Sequence, residues 1–185
     1  TNPYGKSKYF QEEILKDIGL QHQNWNIVIL RYFNPIGHLN DELKELPNGI
    51  PNNIFPYIVK VHNKELERLV IFGSDYDTRD GTCSRDFIHV MDLANAHMVC
   101  CENMITKSKS KFLSNVSIYN VGTGKDTTVL ELIQTFEKIN KCKLNYIFGA
   151  RRSGDLPKSY SNVDLIKNEL GWSSRYTIED CVNLS

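Results

Sequence analysis

The chain has no excess of charge of either sign, no long apolar run and no C-x-x-C motif. Its 22 acidic residues balance its 22 basic residues, so net charge gives no sign of a nucleic-acid or membrane-surface partner. No apolar stretch approaches the ~20 residues that a membrane-spanning helix needs. The five cysteines form no obvious disulfide framework, which favours reduced thiols. We therefore expect a cytoplasmic protein that binds neither nucleic acid nor membrane.

The beginning of the chain reads as a helix followed by a buried strand. Asn2 and Pro3 suit a helix start, and the helix is predicted to run to about Ile18. We expect Phe10, Ile14 and Ile18 to form its buried stripe, Glu12 to pair with Lys16, and Gly19 to end it. The apolar, β-branched run 25–33 then predicts a strand buried on both faces, as in a parallel sheet. This order indicates the second half of a doubly wound α/β sheet.

A possible catalytic pair lies on the first helix. Tyr4 and Lys8 are four residues apart, so both side chains project from one face. A phenol is a poor base at neutral pH, but a fixed ammonium one turn away favours its phenolate form. Such a tyrosine can exchange a proton with a substrate hydroxyl. Because the spacing is common, a surface pair on an amphipathic helix is the alternative interpretation.

The rest of the chain alternates strands and helices. Composition alone favours a surface excursion with a proline-bounded helix for residues 39–68, and a solvated loop from Lys107 to Lys111. The turn 122–128 lacks the residues of a Walker motif and the third glycine of a dinucleotide motif, so we interpret it as a strand-to-helix turn. Other predicted elements are strands 69–73, 117–122 and 144–149, a strand and helix over 85–104, a helix over 129–139 capped by Thr127 or Thr128, and a short helix from Ser161 or Asn162 to Gly171.

A cluster of charged residues follows the last predicted strand. Arg151 and Arg152 precede Gly154 and Asp155. Guanidinium groups bind phosphate in bidentate fashion, and a carboxylate accepts hydrogen bonds from ribose or sugar hydroxyls. The pattern indicates a nucleotide contact, although Arg-x-Gly-Asp is also typical of a salt-bridged turn. His89, within an apolar run, is interpreted as a structural core histidine.

In this order the segments resemble the UDP-glucose 4-epimerase family of the extended short-chain dehydrogenase/reductases. The resemblance covers essentially the whole chain and rests on nine short motifs in register. They are Asn2-Pro3-Tyr4-Gly5-x-x-Lys8, Leu30-Arg31-Tyr32-Phe33-Asn34-Pro35-x-Gly37, Gly49-Ile50-Pro51-Asn52-Asn53, Ile71-Phe72-Gly73-x-Asp75-Tyr76, Asp80-Gly81-Thr82, Arg85-Asp86-x-Ile88-His89-Val90-x-Asp92-Leu93-Ala94, Tyr119-Asn120-x-Gly122, Arg151-Arg152-x-Gly154-Asp155 and Leu170-Gly171-Trp172.

The resemblance implies a fold, a cofactor and a reaction. The fold would be the carboxyl-terminal part of a Rossmann-like parallel-sheet domain, formed by residues 1–38 and about 86–122. A smaller α/β nucleotide-sugar-binding domain would comprise residues 39–85 and 123–185. The cofactor would be NAD, and the reaction would interconvert UDP-glucose and UDP-galactose through a transient 4-keto sugar, as in galactose metabolism. Family members are commonly homodimers.

The resemblance also implies site residues. Tyr4 and Lys8 match the catalytic pair, which also contacts cofactor, and Tyr4 contacts substrate as well. Phe33 matches a nicotinamide contact and Asn34 a sugar contact. Arg85 and Arg152 match a diphosphate clamp, and Asp155 a ribose or sugar contact. The remaining substrate-binding positions are Asn53, Ile54, Val70, Ile71, Phe72, Ser153, Gly154 and Ser159.

Two family features do not occur in this sequence. They are the Gly-x-x-Gly-x-x-Gly turn that holds the NAD pyrophosphate and the catalytic Ser/Thr upstream of the tyrosine. We therefore expect a carboxyl-terminal fragment that alone neither binds NAD nor turns over substrate. Other nucleotide-sugar enzymes of this superfamily, such as 4,6-dehydratases or decarboxylases, share Tyr4, Lys8 and the sheet. A non-catalytic nucleotide-sugar-binding scaffold is the second alternative.

Ser159 bears on substrate range. At the matching position, bacterial relatives restricted to unmodified hexoses carry tyrosine, whereas animal relatives carry a small residue. A small side chain leaves room for an N-acetyl group on the second carbon of the sugar. We therefore expect the intact enzyme to use UDP-GlcNAc and UDP-GalNAc as well as UDP-glucose and UDP-galactose.

Overall fold

The computed structural model describes residues 2–22, 24–39, 49–107 and 115–183 as an α/β structure. None of the described helices is long and apolar enough to cross a membrane. The helices are α1 (Pro3–Gln21), α2 (Ile54–His62), α3 (Val90–Lys107), α4 (Val129–Ile139), α5 (Asp164–Leu170) and α6 (Ile178–Val182). The strands are β1 (Ile27–Tyr32), β2 (Asn34–Ile36), β3 (Leu69–Phe72), β4 (Ser84–Arg85), β5 (Phe87–His89), β6 (Val116–Val121), β7 (Thr127–Thr128), β8 (Tyr146–Gly149) and β9 (Lys158–Ser159).

Most strand pairs are parallel, which confirms the predicted fold class. β1 pairs with β6, β2 with β5, and β3 with β8, each in parallel register. β4 is parallel to β9 and antiparallel to β7. Long helices separate partners along the chain, as parallel pairing requires. The predicted division into two domains stays a prediction.

The first helix runs antiparallel to the strands on which it packs. Near its end, Gly19 lies against Val116, the first residue of β6. Midway along it, the Glu12 carboxylate accepts hydrogen bonds of 2.6 and 2.8 Å from Arg31, near the end of β1. Tyr4 is eight residues before Glu12, or about 12 Å further along the helix axis at about 1.5 Å per residue. The start of α1 therefore lies beyond the carboxyl ends of β1 and β6.

Several predictions for α1 and β1 are wrong in detail. Phe10 and Ile14 are 60% and 57% exposed, because the side of α1 that contacts the sheet is the one that carries Gly19. A side chain at Gly19 would collide with Val116, so this glycine is a packing residue inside the helix and does not end it.

Two further expectations for this region are corrected. Lys16 pairs with Glu13, not with Glu12, whose carboxylate is engaged by Arg31. That guanidinium lowers the pKa of Glu12. β1 is half-buried and not buried on both faces, because β6 is its one paired neighbour among the described residues.

Two hydrophobic clusters form the core. One joins α2, α4 and β3, and the other joins β5, α3 and β6 with Ile166 and Trp172. The surface excursion expected for residues 39–68 is wrong for α2, since Phe55, Ile58 and Val59 are buried there. The loop expected from Lys107 to Lys111 lies almost entirely outside the described residues.

The capping predictions are largely confirmed. Asn2 accepts from the Gly5 amide at 2.7 Å, and Thr128 caps α4 through a capping box with Glu131. Gly171 ends α5 in the left-handed conformation with φ of 66°. However, α5 begins at Asp164, because the Ser161 hydroxyl and amide are bound to Asp86.

Candidate functional site

A cavity of about 420 Å³ lies beside β3, which is a typical size for a small-molecule site. It is bounded by the segment before α2, by β3, by β4 and β5, and by the loop after β8. It also reaches Asn34, which lies two residues after the end of β1. The lining residues are Asn34, Ile50, Pro51, Asn52, Asn53, Ile54, Tyr57, Leu69, Val70, Ile71, Phe72, Cys83, Arg85, Phe87, Val129, Arg152 and Asp155.

Residues 83–87 present alternate side chains to this cavity. Cys83, Arg85 and Phe87 line it. The intervening Ser84 and Asp86 are fully buried and do not line it, as the two-residue period of an extended chain predicts. Burial raises the pKa of the Cys83 thiol.

Arg85 is held firmly at the cavity wall. Its guanidinium donates to the carbonyls of Ser84 and Leu156 at 2.7 and 2.9 Å, and to the Asp155 carboxylate at 3.1 Å. Its side chain is only 18% exposed. A guanidinium held in this way offers a fixed positive charge to an anionic ligand.

Arg152 supplies a second cation to the same cavity. Its guanidinium carbon lies 3.9 Å from the centroid of the Phe72 ring, in a cation–π contact. The neighbouring Arg151 does not line the cavity. It donates to Asp75 at 2.7 Å and stacks on Tyr76 at 4.3 Å. Its hydrogen bond lowers the pKa of Asp75, so Arg151 holds the loop after β3.

Tyr4 and Lys8 lie on one face of α1, as predicted. Lys8 Nζ is 5.6 Å from the Tyr4 ring centroid, and Tyr4 is 71% exposed. Tyr4 does not line the cavity. It lies at the start of α1, beyond the carboxyl end of β1. A cleft shared by Tyr4 with Arg85 and Arg152 stays a prediction.

The remaining predicted residues are distributed around the cavity. Asn53, Ile54, Val70, Ile71, Phe72 and Asp155 line it. Phe33 is half-buried and Ser159 lies in β9 opposite Arg85, but neither lines it. Ser153 and Gly154 are exposed in the loop after β8, where Gly154 has φ of 81°. The roles predicted for these residues stay predictions.

The turn 122–128 is built around a carboxylate that the sequence-based reasoning missed. Asp86 accepts hydrogen bonds from the amides of Thr123 and Gly124 at 2.8 and 3.0 Å. An anion already occupies these amides, so a phosphate is not expected there, in agreement with the strand-to-helix interpretation.

His89 is buried, accepts a hydrogen bond from the Met91 amide at 3.1 Å and stacks on Tyr176 at 4.2 Å. Burial lowers its pKa, which suits a structural histidine.

All five cysteines are free thiols, as expected, and Cys83, Cys100 and Cys181 are buried.

The parallel α/β fold and the arginine-lined cavity beyond β1 are typical of nucleotide-binding proteins. Residues 1–122 match the model of the NAD dependent epimerase/dehydratase family. The chain belongs to that family.

Individual relatives support the narrower resemblance. A UDP-glucose 4-epimerase of Bifidobacterium longum is 44% identical over 181 residues, which are 97% of this chain and 51% of the relative. A crystal structure of the epimerase from that organism, in complex with NAD⁺ and UDP, matches with a TM-score of 0.89 at 42% identity. The match covers 100% of this chain and 53% of that one.

A third match is the UDP-Glc/GlcNAc 4-epimerase of Campylobacter jejuni, with a TM-score of 0.75 and 32% identity over 98% of this chain and 54% of that one. The resemblance drawn from the sequence is thereby confirmed. The chain spans about half the length of the curated relatives it matches.

Proposed function

We propose that this chain carries the substrate-binding part, and one catalytic pair, of an NAD-dependent UDP-hexose 4-epimerase. The observation that carries the proposal is the cavity lined by both Arg85 and Arg152. Two guanidiniums suit a diphosphate, whose charge they neutralise. The Bifidobacterium longum structure, with UDP and NAD⁺ bound, supports the same ligand class.

The nucleotide would be anchored more tightly than the sugar. Arg85 and Arg152 would hold the diphosphate, Asp155 a ribose or sugar hydroxyl, and Asn53, Ile54 and residues 70–72 would surround the remainder of the nucleotide. Asn34 would hold the sugar towards Tyr4. An anchored diphosphate lets the hexose turn about its link to phosphorus without release, which inversion at one carbon requires.

Tyr4 would act on the proton of the sugar's 4-hydroxyl. The phenolate oxygen would accept that proton as the fourth carbon is oxidised. The phenol would return it after the 4-keto sugar has rotated about its link to phosphorus. Lys8, whose ammonium lies 5.6 Å from the centroid of the Tyr4 ring, would bind the nicotinamide ribose. NAD, when bound, supplies hydride acceptance and return at that carbon.

The residues present fit one end of this cofactor. Tyr4, Lys8 and Phe33 are exposed or half-exposed near the end of β1 and suit the nicotinamide and its ribose. A pyrophosphate site needs unpaired turn amides. In the turn 122–128 the Thr123 and Gly124 amides are bound by Asp86. The turn 122–128 therefore does not fit the pyrophosphate.

The substrate range is proposed to include N-acetylated sugars. Ser159 is small and half-buried, and its β9 position is in register with Arg85. The Campylobacter jejuni relative is a UDP-Glc/GlcNAc 4-epimerase, which supports this proposal.

Competing functions predict other outcomes. A 4,6-dehydratase would consume UDP-glucose with loss of water and would form no UDP-galactose. A decarboxylase would need a UDP-sugar that carries a carboxyl group and would leave UDP-glucose unchanged, and a scaffold would bind UDP without turnover. A homodimer is proposed from the resemblance, and a cytoplasmic location from the free cysteines. Light scattering of the purified protein tests the first, and imaging of the tagged protein tests the second.

Titration calorimetry with UDP tests the proposed site. We expect saturable one-to-one binding that Arg152→Gln weakens at least tenfold, because a charge-assisted contact is lost. Arg151→Gln is the matched control, since the adjacent guanidinium binds Asp75 and does not line the cavity. Absence of UDP binding, or equal loss in both variants, contradicts the proposal.

A further inference from the structure

The buried carboxylate of Asp86 lies directly behind the arginine-bearing wall of the cavity. Asp86 is fully buried between Arg85 and Phe87, both of which line the cavity. Its side chain points to the opposite face of the extended segment. The chain therefore has an anchor at the one residue that separates these two wall residues.

Five hydrogen bonds fix this carboxylate. Oδ1 accepts from the Thr123 amide at 2.8 Å and hydroxyl at 2.6 Å. Oδ2 accepts from the Gly124 amide at 3.0 Å, and from the Ser161 amide and hydroxyl at 3.1 and 2.5 Å. A Cβ at Gly122 would collide with Ser161 Oγ and Asp86 Oδ2, so the turn is shaped to the carboxylate.

The backbone of the same residue connects two predicted site positions. The Asp86 amide donates to the Ser159 carbonyl at 3.1 Å, and its carbonyl accepts from the Asn34 amide at 2.9 Å. Asp86 thus joins the residue proposed to hold the sugar, the residue proposed to set sugar range, and the strand that presents Arg85.

We infer that Asp86 is a positioning residue for nucleotide binding. Its carboxylate fixes the 84–87 segment against the turn after β6 and against Ser161, and thereby sets where the Arg85 guanidinium stands relative to Asn34. An amide at position 86 would present an N–H₂ group to backbone donors and break part of this set, so the wall would shift while the hydrophobic clusters remained. This inference rests on the proposed UDP site.

Asp92 offers a matched control. Its carboxylate is also buried, at 2% exposure, and accepts from the amides of Arg175 and Tyr176 at 2.9 and 3.0 Å. Neither of those residues lines the cavity. Asp92→Asn therefore removes a comparable buried carboxylate without touching the cavity wall.

The test is UDP calorimetry on the folded protein, well below each variant's unfolding midpoint. We expect Asp86→Asn to weaken UDP binding at least tenfold, Ser161→Ala to weaken it severalfold, and Asp92→Asn to change it less than twofold even where its unfolding midpoint falls. In the full-length enzyme, Asp86→Asn should raise KM for the UDP-sugar more than it lowers kcat. If Asp86→Asn does not fold, Ser161→Ala decides.

The inference is overturned if the wild-type protein binds UDP and Asp86→Asn or the deciding Ser161→Ala binds it equally well. It is also overturned if Asp92→Asn weakens binding as much as the variants at the Asp86 site, because general destabilisation would then be sufficient. Failure of the wild-type protein to bind UDP is a different result, which removes the proposed function and this inference with it.

Discussion

At the scale of single residues, the site consists of charges held in place by neighbours of different kinds. Arg85 is fixed by two carbonyls and Asp155, and Arg152 by the face of Phe72. Since both guanidiniums are already positioned, a diphosphate would meet a site that needs little rearrangement. Preorganisation of this kind reduces the entropic cost of binding.

Ser159→Tyr in the full-length enzyme tests the proposed substrate range. We expect turnover of UDP-GalNAc to fall at least tenfold, because the larger ring would occupy space needed by the N-acetyl group, whereas turnover of UDP-galactose is retained. If the match to the family were shifted by one residue, Tyr160 and not Ser159 would occupy the range-setting position, so Tyr160→Ser is the control. Undiminished N-acetyl turnover in Ser159→Tyr would refute the steric argument.

Thiol chemistry should separate the five cysteines. Cys101 is exposed, whereas Cys181 is 1% exposed and burial raises its pKa to about 12. The thiolate is the reactive form, so alkylation of the native protein at pH 8 should modify Cys101 at least 100-fold faster than Cys181. Mass spectrometry of tryptic peptides measures both rates. Denaturant should abolish the difference, and comparable rates in the native protein would contradict the burial of Cys181.

At the scale of elements, local signals predicted the elements well and their packing less well. The cap at Thr128, the stop at Gly171 and the strand-to-helix passage over 85–94 depend on neighbours a few residues away, and all were predictable. The face of α1 was not, because it depends on Gly19 meeting Val116 about a hundred positions later. Asp86 was missed for the same reason, since its partners lie 37 and 75 residues away.

The start of α4 gives a pH-dependent prediction. Arg79 binds Glu131 through two hydrogen bonds of 2.7 and 2.8 Å, and this contact lowers the pKa of Glu131 to about 2. The folded-state pKa is below the ordinary value of 4.5, so the stabilisation is present above about pH 4.5 and is lost as pH falls towards about 2. The pair is partly exposed, which limits its value to about 0.2–1 kcal/mol.

Urea unfolding of Arg79→Gln measures this contribution. The difference in unfolding free energy from the wild-type protein should be largest at pH 6–7 and should shrink as pH falls from 4.5 towards 2. Lys143→Gln, which removes the exposed partner of Glu137, controls for loss of a surface cation. A difference that is constant with pH would show that Arg79 acts through packing alone.

The close approach of α1 to β6 gives a prediction about packing. Gly19→Leu should destabilise the protein by about 1–3 kcal/mol, because a side chain has no space beside Val116. Gln11→Leu, at an exposed position of the same helix, should change the free energy of unfolding by less than about 0.5 kcal/mol. Equal effects in urea unfolding would contradict the antiparallel placement of α1.

At the scale of the whole molecule, the proposed reaction needs two regions, which are the arginine-lined cavity and the start of α1 with Tyr4 and Lys8. The family motifs predict Asn34, Arg85, Arg152 and Asp155 as ligand contacts, and these four residues line one cavity. The burial of one face of α2 was not predicted, because composition favoured a surface position for this helix. The sequence contains no Gly-x-x-Gly-x-x-Gly turn, so the 185-residue chain alone is expected to bind UDP without binding NAD or turning over substrate. Measured epimerase activity in the isolated chain would refute this expectation.

The most direct measurement of the central claim is conversion of UDP-galactose to UDP-glucose by the full-length enzyme that contains this sequence. We predict interconversion of the two sugars, and a loss of about 10²–10⁴ in kcat for Tyr4→Phe with UDP affinity unchanged, because general acid–base catalysis is typically worth that much. An enzyme that holds NAD and UDP but leaves UDP-galactose unchanged, or a Tyr4→Phe variant as fast as wild type, would contradict it.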